Sequence, residues 1–131
     1  MTRDWQEAIE RGDIETACAL LDTGANIDAL DRYGQTALMI AAYKGHFKLA
    51  QLLVDRGANL NHSAKSKLTA LMLTVFSNQP KIARLLISSG ADTALHSSYN
   101  GKTVLELAEQ MERHEILELL RKAAAAPPSE S

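Results

Sequence analysis

Apolar positions along this chain fall in short bursts of helical spacing, and the bursts recur at a fixed interval. The clearest copy is Thr36 to Asn61, T-A-L-M-I-A-A-Y-K-G-H-F-K-L-A-Q-L-L-V-D-R-G-A-N-L-N. Its pattern predicts two helices, Ala37–Lys44 and Phe47–Arg56, with Leu49, Leu52 and Leu53 forming a buried stripe on the second. Thr36 is the expected N-cap, its hydroxyl accepting from an orphan N–H. Gly45 is the expected left-handed stop of the first helix, and Gly57 closes the second. Gly24-Ala25-Asn26, Gly57-Ala58-Asn59 and Gly90-Ala91-Asp92 lie 33 residues apart each time. Thr36, Thr69 and Thr103 keep intervals of 33 and then 34, so one extra residue lies between Asp92 and Thr103. A self-similar period of this size marks a stack of repeated helical units.

Shifting the pattern back by 33 predicts a first unit at 1–30, with helices Trp5–Arg11 and Ile14–Asp22. Its first helix has only Trp5, Ala8 and Ile9 to bury, as a terminal repeat with one wet side should. The second unit is 31–63, where Asp31-Arg32-Tyr33-Gly34 is turn chemistry with Gly34 free to take positive φ. The third unit, 64–96, keeps the apolar columns Leu71, Leu73, Val75, Ile82, Leu85 and Leu86. Asn78 replaces Gly45 as a helix stop that tolerates the left-handed region, and Pro80 suits a helix first turn. Lys67 stands where Gly34 stood, which leaves two alternatives, a different turn or a strained residue. The fourth unit, 97–122, has the apolar residues Leu105, Leu107, Ala108, Ile116, Leu119 and Leu120. Glu106, Glu109, Glu112, Glu115 and Glu118 recur every third residue, as a solvated end face or, alternatively, an acidic docking surface. The tail, 123–131, opens as helical alanine, meets Pro127-Pro128 and is expected to be disordered.

Charge changes the picture more by its distribution than by its sum. The 131 residues carry a formal charge of −2, but the segments 1–30, 31–96 and 97–131 carry −5, +5 and −2. A basic middle between acidic ends argues against a nucleic-acid stripe. Neither an apolar leader nor a membrane-length apolar run is present. The lone Cys18, expected on the outer helix surface, excludes an intrachain disulfide or a cysteine zinc cluster. These features together predict a cytoplasmic protein.

Fragments that imitate catalytic motifs dissolve on alignment. Asp22-Thr23-Gly24 resembles an aspartic-protease triplet, but Gly24 is the helix stop equivalent to Gly57 and Gly90. Gly101-Lys102-Thr103 resembles the end of a P-loop, yet the glycine needed five residues earlier is His96. Asn61-His62-Ser63 fits a glycosylation sequon, irrelevant in the cytosol. His46, His62, His96 and His114 lack ligand spacing, and no nucleophile–base–orienter set can be assembled. The chain is expected to be no enzyme and to hold neither cofactor nor metal.

Two quoted stretches carry a family resemblance. Asp31-x-x-Gly34-x-Thr36-Ala37-Leu38-Met39-x-Ala41-Ala42-x-x-Gly45-His46 resembles the ankyrin repeat motif D-x-x-G-x-T-P-L-H-x-A-A-x-x-G-H. Leu52-Leu53-x-x-x-Gly57-Ala58-Asn59-x-Asn61 resembles its close. The likeness covers about residues 4–122 and implies an all-α ankyrin-repeat solenoid, helix–turn–helix units joined by short β-hairpin-like loops. The motif proline is replaced by Ala37, Ala70 and Val104, and the motif histidine by Met39, Met72 and Glu106. Thioether packing is expected to replace the histidine's hydrogen bonds in two units, with slightly looser junctions.

The resemblance also implies a binding face, the concave side built from hairpin fingers and first helices. Carried onto this sequence, that face comprises Arg32, Tyr33, Gln35, Tyr43 and Lys44 in the second unit. It continues through Lys65, Ser66, Leu68, Phe76 and Ser77 in the third, then Tyr99, Asn100, Lys102, Gln110 and Met111 in the fourth. Tyr43 and Phe76 share one repeat position, with cations beside them: either they close the ends of their helices, or they are anchors of the type that interface hot spots favour. The partner expected is another protein, through an acidic or phosphorylated segment, with no nucleic acid or membrane bound. The chain is expected to be a monomer of the size of stand-alone ankyrin inhibitors and adaptors. The alternative is self-assembly, acidic ends docking on the basic middle of another copy.

Overall fold

A computed structural model describes residues 1–98 and 100–125. Eight helices lie among these residues: α1 Arg3–Arg11, α2 Ile14–Asp22, α3 Ala37–Lys44, α4 Phe47–Asp55, α5 Ala70–Phe76, α6 Pro80–Ser88, α7 Val104–Gln110 and α8 His114–Ala125. They pack as pairs, α1 on α2, α3 on α4, α5 on α6 and α7 on α8. The first helices of successive pairs contact one another, and so do the second helices. The result is an all-α repeat solenoid, with one row of first helices and one of second helices.

Threonines start the first helices. The hydroxyls of Thr2, Thr36, Thr69 and Thr103 accept from the backbone N–H of Trp5, Met39, Met72 and Glu106. Each cap of this kind contributes about 1 kcal/mol. The left-handed stops follow at Gly45 (φ 80°), Asn78 (φ 55°) and Glu112 (φ 56°). Position in the stack decides burial. Ala37 to Ala42 in α3 and Ala70 to Val75 in α5 are buried all round, whereas α1 buries only Trp5, Ala8 and Ile9. A helix with neighbours on both sides needs an apolar circumference, and an end helix needs one stripe. Met39 and Met72 are each 1% exposed, so the columns that hold the motif histidine are occupied by buried thioethers.

Polar side chains tie each pair to the one before it. Asp28 Oδ1 accepts from the Asn59 N–H at 2.9 Å, and Asn61 Oδ1 from the Asp92 N–H at 2.7 Å. Immediately before the second helices, His46 Nε2 lies 3.0 Å from the Glu10 carbonyl at the end of α1. Arg113, two pairs on in the same column, donates to the Val75 and Phe76 carbonyls at 2.8 and 3.3 Å. The Glu10 and Phe76 carbonyls lie at helix ends, where intrahelical partners run out, and the Val75 carbonyl also accepts from the Asn78 N–H. Leu52 and Leu85 are half-buried, so the second-helix stripe is narrower than its spacing suggests. The alanines after Lys122 continue α8 to Ala125, and the remainder of the expected tail, 126–131, lies outside the described residues.

Candidate functional site

Three loops project between the pairs and form the second, third and fourth fingers, each numbered with the unit it opens. In the first, Asp31 N–H donates to the Gln35 carbonyl and Gly34 N–H to the Asp31 carbonyl, both at 3.0 Å. In the next, Ala64 N–H donates to the Leu68 carbonyl at 3.0 Å and Lys67 N–H to the Ala64 carbonyl at 2.8 Å. The two turns are the same. Lys67 therefore takes φ 61°, beside φ 76° for Gly34, which resolves the two alternatives in favour of a strained residue. The fourth finger closes from Ser97 N–H to the Lys102 carbonyl, one residue longer, and holds an isolated bridge between His96 and Thr103. That is where the 34-residue interval goes.

Among the candidate residues, Arg32, Tyr33, Gln35, Lys65 and Ser66 come together across the second and third fingers. Lys65 Nζ donates to the Arg32 carbonyl at 2.9 Å, and its backbone N–H to the Tyr33 carbonyl at 3.4 Å. The Arg32 guanidinium carbon stands 5.7 Å from the Tyr33 ring centre, within cation–π range. Tyr33, Gln35, Ala64, Lys65 and Ser66 line one shallow depression. Tyr33 is 59% exposed and Tyr43, at the end of α3 beside exposed Lys44, is 55% exposed.

Tyr43 and Phe76 share a repeat position but not an environment. Phe76 is half-buried and packs against the core, as does Leu68, so both also serve the stack. Phe76 lines a second cavity with Asn100, Lys102, Leu107, Gln110 and Met111. Lys102 Nζ donates to Gln110 Oε1 across its mouth. Ser77 turns away, its hydroxyl donating to the Leu73 carbonyl at 3.0 Å. Tyr99 lies outside the described residues.

Sequence reasoning missed two surface features. Leu30 is 42% exposed beside the second finger, and its signal was a leucine in a column otherwise held by Ser63 and His96. A groove on the second-helix row is lined by Phe47, Lys81, Arg84, Leu85, Ser88 and Glu115. The columns pointed Leu85 inward, yet it is half-buried and lines this groove.

Titratable groups outside the fingers have structural explanations. The Thr103 backbone N–H and hydroxyl donate to Glu106 and hold its carboxyl below its ordinary value. The Thr16 hydroxyl and backbone N–H do the same for Asp13, the N-cap of α2. Asp22 accepts from Arg56 at 2.9 Å and raises the pKa of that guanidinium. Half-buried Cys18 sits beside the pair, its sulfur 3.2 Å from Arg56 Nη2. No cluster of three or more His, Cys, Asp or Glu side chains suited to a metal occurs among the described residues. Among them, too, no helix is long and apolar enough to cross a membrane.

A family model described as ankyrin repeats, in three copies, matches residues 5–97 and again 61–129. No curated protein matches the chain. Ankyrin repeats are generally protein–protein interaction modules and typically non-catalytic. With helix pairs, threonine caps and fingers recurring at the period of its motif, the chain belongs to the ankyrin repeat family.

Proposed function

We propose that this chain is a non-catalytic module whose second and third fingers, with the ends of α3 and α5, bind an acidic or phosphorylated segment of a partner protein. The units run 1–30, 31–63, 64–96 and 97–122, counting each finger with the helix pair that follows it. One observation carries the reading: of three large apolar or aromatic side chains exposed on the described surface, two are Tyr33 and Tyr43. Neither is needed to close the stack, and both stand among cations on a segment of charge +5. Aromatic side chains half in water supply contact area at low entropic cost and are favoured as binding anchors. Steering by the basic middle makes association salt-sensitive. A cytoplasmic setting suits the free Cys18 thiol.

Tyr43→Ala combined with Phe76→Ala tests the reading. Loss of one buried aromatic anchor costs about 2 kcal/mol or more, so affinity for the natural partner is expected to fall at least about 30-fold. Circular dichroism checks that the fold survives the loss of half-buried Phe76. Unchanged affinity in a folded variant removes the reading. Light scattering across concentrations separates it from self-assembly, which predicts oligomers where this reading predicts a monomer.

A further inference from the structure

We propose further that Lys67 is a binding residue kept in a disfavoured backbone conformation, and that it joins Arg32 and Lys65 in a cationic row matched to an extended acidic peptide. This rests on the reading above and narrows its partner to carboxylate-bearing protein. The backbone supplies the first argument. Lys67 occupies the left-handed region at φ 61°, in a turn that the equivalent Gly34 makes at φ 76° without a side chain to accommodate. Residues other than glycine, asparagine and aspartate rarely enter that region, and such outliers cluster at functional sites. Lys67 is exposed, and its ammonium pairs with no carboxylate among the described residues, where the ion pair is Arg56–Asp22. Packing therefore does not explain the lysine.

Placement supplies the second argument. Lys65 Nζ reaches across to the Arg32 carbonyl, so its charge lies between the second and third fingers. Asp31, the acid of the second finger, has Oδ1 committed to the backbone N–H groups of Tyr33 and Gln35. Successive units stack at about the 8–10 Å of packed helices. An extended chain rises about 3.3 Å per residue, so carboxylates about three residues apart meet successive fingers.

The experiment is an amide-shift titration of the full chain by NMR with a peptide repeating Glu-Ser-Gly. The Gln-Ser-Gly peptide and a phosphoserine form of the Gln peptide are titrated in parallel. The glutamate peptide is expected to shift the amides of 32–35 and 64–68, and the glutamine peptide to shift neither. Lys67→Gly is expected to melt about 2–4 °C higher, because the strain is relieved, yet bind the glutamate peptide about two- to fivefold more weakly. Lys67→Asn, which still tolerates the left-handed region, is expected to bind as weakly as the glycine variant. Undiminished binding by both variants, or shifts centred on the outer-row Lys48, Lys81 and Arg84, overturns the proposal. So does binding of the phosphoserine peptide alone. Failure here leaves the broader reading to the Tyr43 and Phe76 variants, which probe anchors that Lys67 does not touch.

Discussion

The second and third fingers share one backbone and reach it by different means. The second is locally encoded: Asp31 Oδ1 accepts from Tyr33 and Gln35 N–H at 2.9 and 2.8 Å, and Gly34 supplies the positive φ. The third has Ala64 and Lys67 at those positions, so neither local support exists. It leans on its neighbours instead, through Lys65 to the second finger and the Ser98 hydroxyl donating to the Ser66 carbonyl. A stack of near-identical units lets one copy impose a conformation that another copy's sequence would not choose. That freedom is what allows a cation to replace a glycine at a finger tip.

Cutting the stack is the severest way to break the comparison. Leu53 and Leu86 are fully buried in the same column, and either Leu→Ala change is expected to cost about 2–5 kcal/mol in denaturant unfolding. Half-buried Leu20, the same column in the end unit, is expected to cost clearly less.

The fingers themselves come next. Gly34→Ala is expected to destabilise by about 1–2 kcal/mol, because a Cβ there takes positive φ and meets Lys65 at 3.2–3.3 Å. Lys67→Gly is expected to stabilise by about 1 kcal/mol, so the two substitutions at one repeat position have opposite signs. Thermal melts of the pair decide this, and equal signs remove the comparison. Asp31→Ala, which deletes the local turn bonds, is expected to cost about 1 kcal/mol.

The smallest effect lies outside the fingers and calibrates what a purely local contact contributes. Glu106 is held below its ordinary pKa by Thr103, so its stabilisation is present above the unfolded-state value and lost as pH falls through the folded one. Unfolding free energies measured between about pH 5 and pH 3 should fall slightly less steeply for Glu106→Gln than for the native chain.

What the sequence made legible divides along the same line. Features set within a few residues were readable: the cap Thr36, the α3 boundaries, the burial of Trp5, Ala8 and Ile9, and the period that gave the family. Features set across units were not. The conformation of Lys67 depends on neighbouring fingers. Half-burial of Phe76 beside Lys102 depends on a register crossing the one-residue insertion. The bonds from Arg113 to Val75 and Phe76 join residues 37 and 38 apart. The candidate face came from the resemblance, since exposed side chains carry no periodic signal of their own.

The central claim is that the second and third fingers, with the ends of α3 and α5, receive the partner. Hydrogen exchange of the full chain, free and bound to the partner isolated from its source cell, tests it most directly. The account predicts slowed exchange across 32–35, 43–44 and 64–68, with α4 and α6 unchanged. Protection confined to α4 and α6, the helices that carry the outer groove, would contradict it.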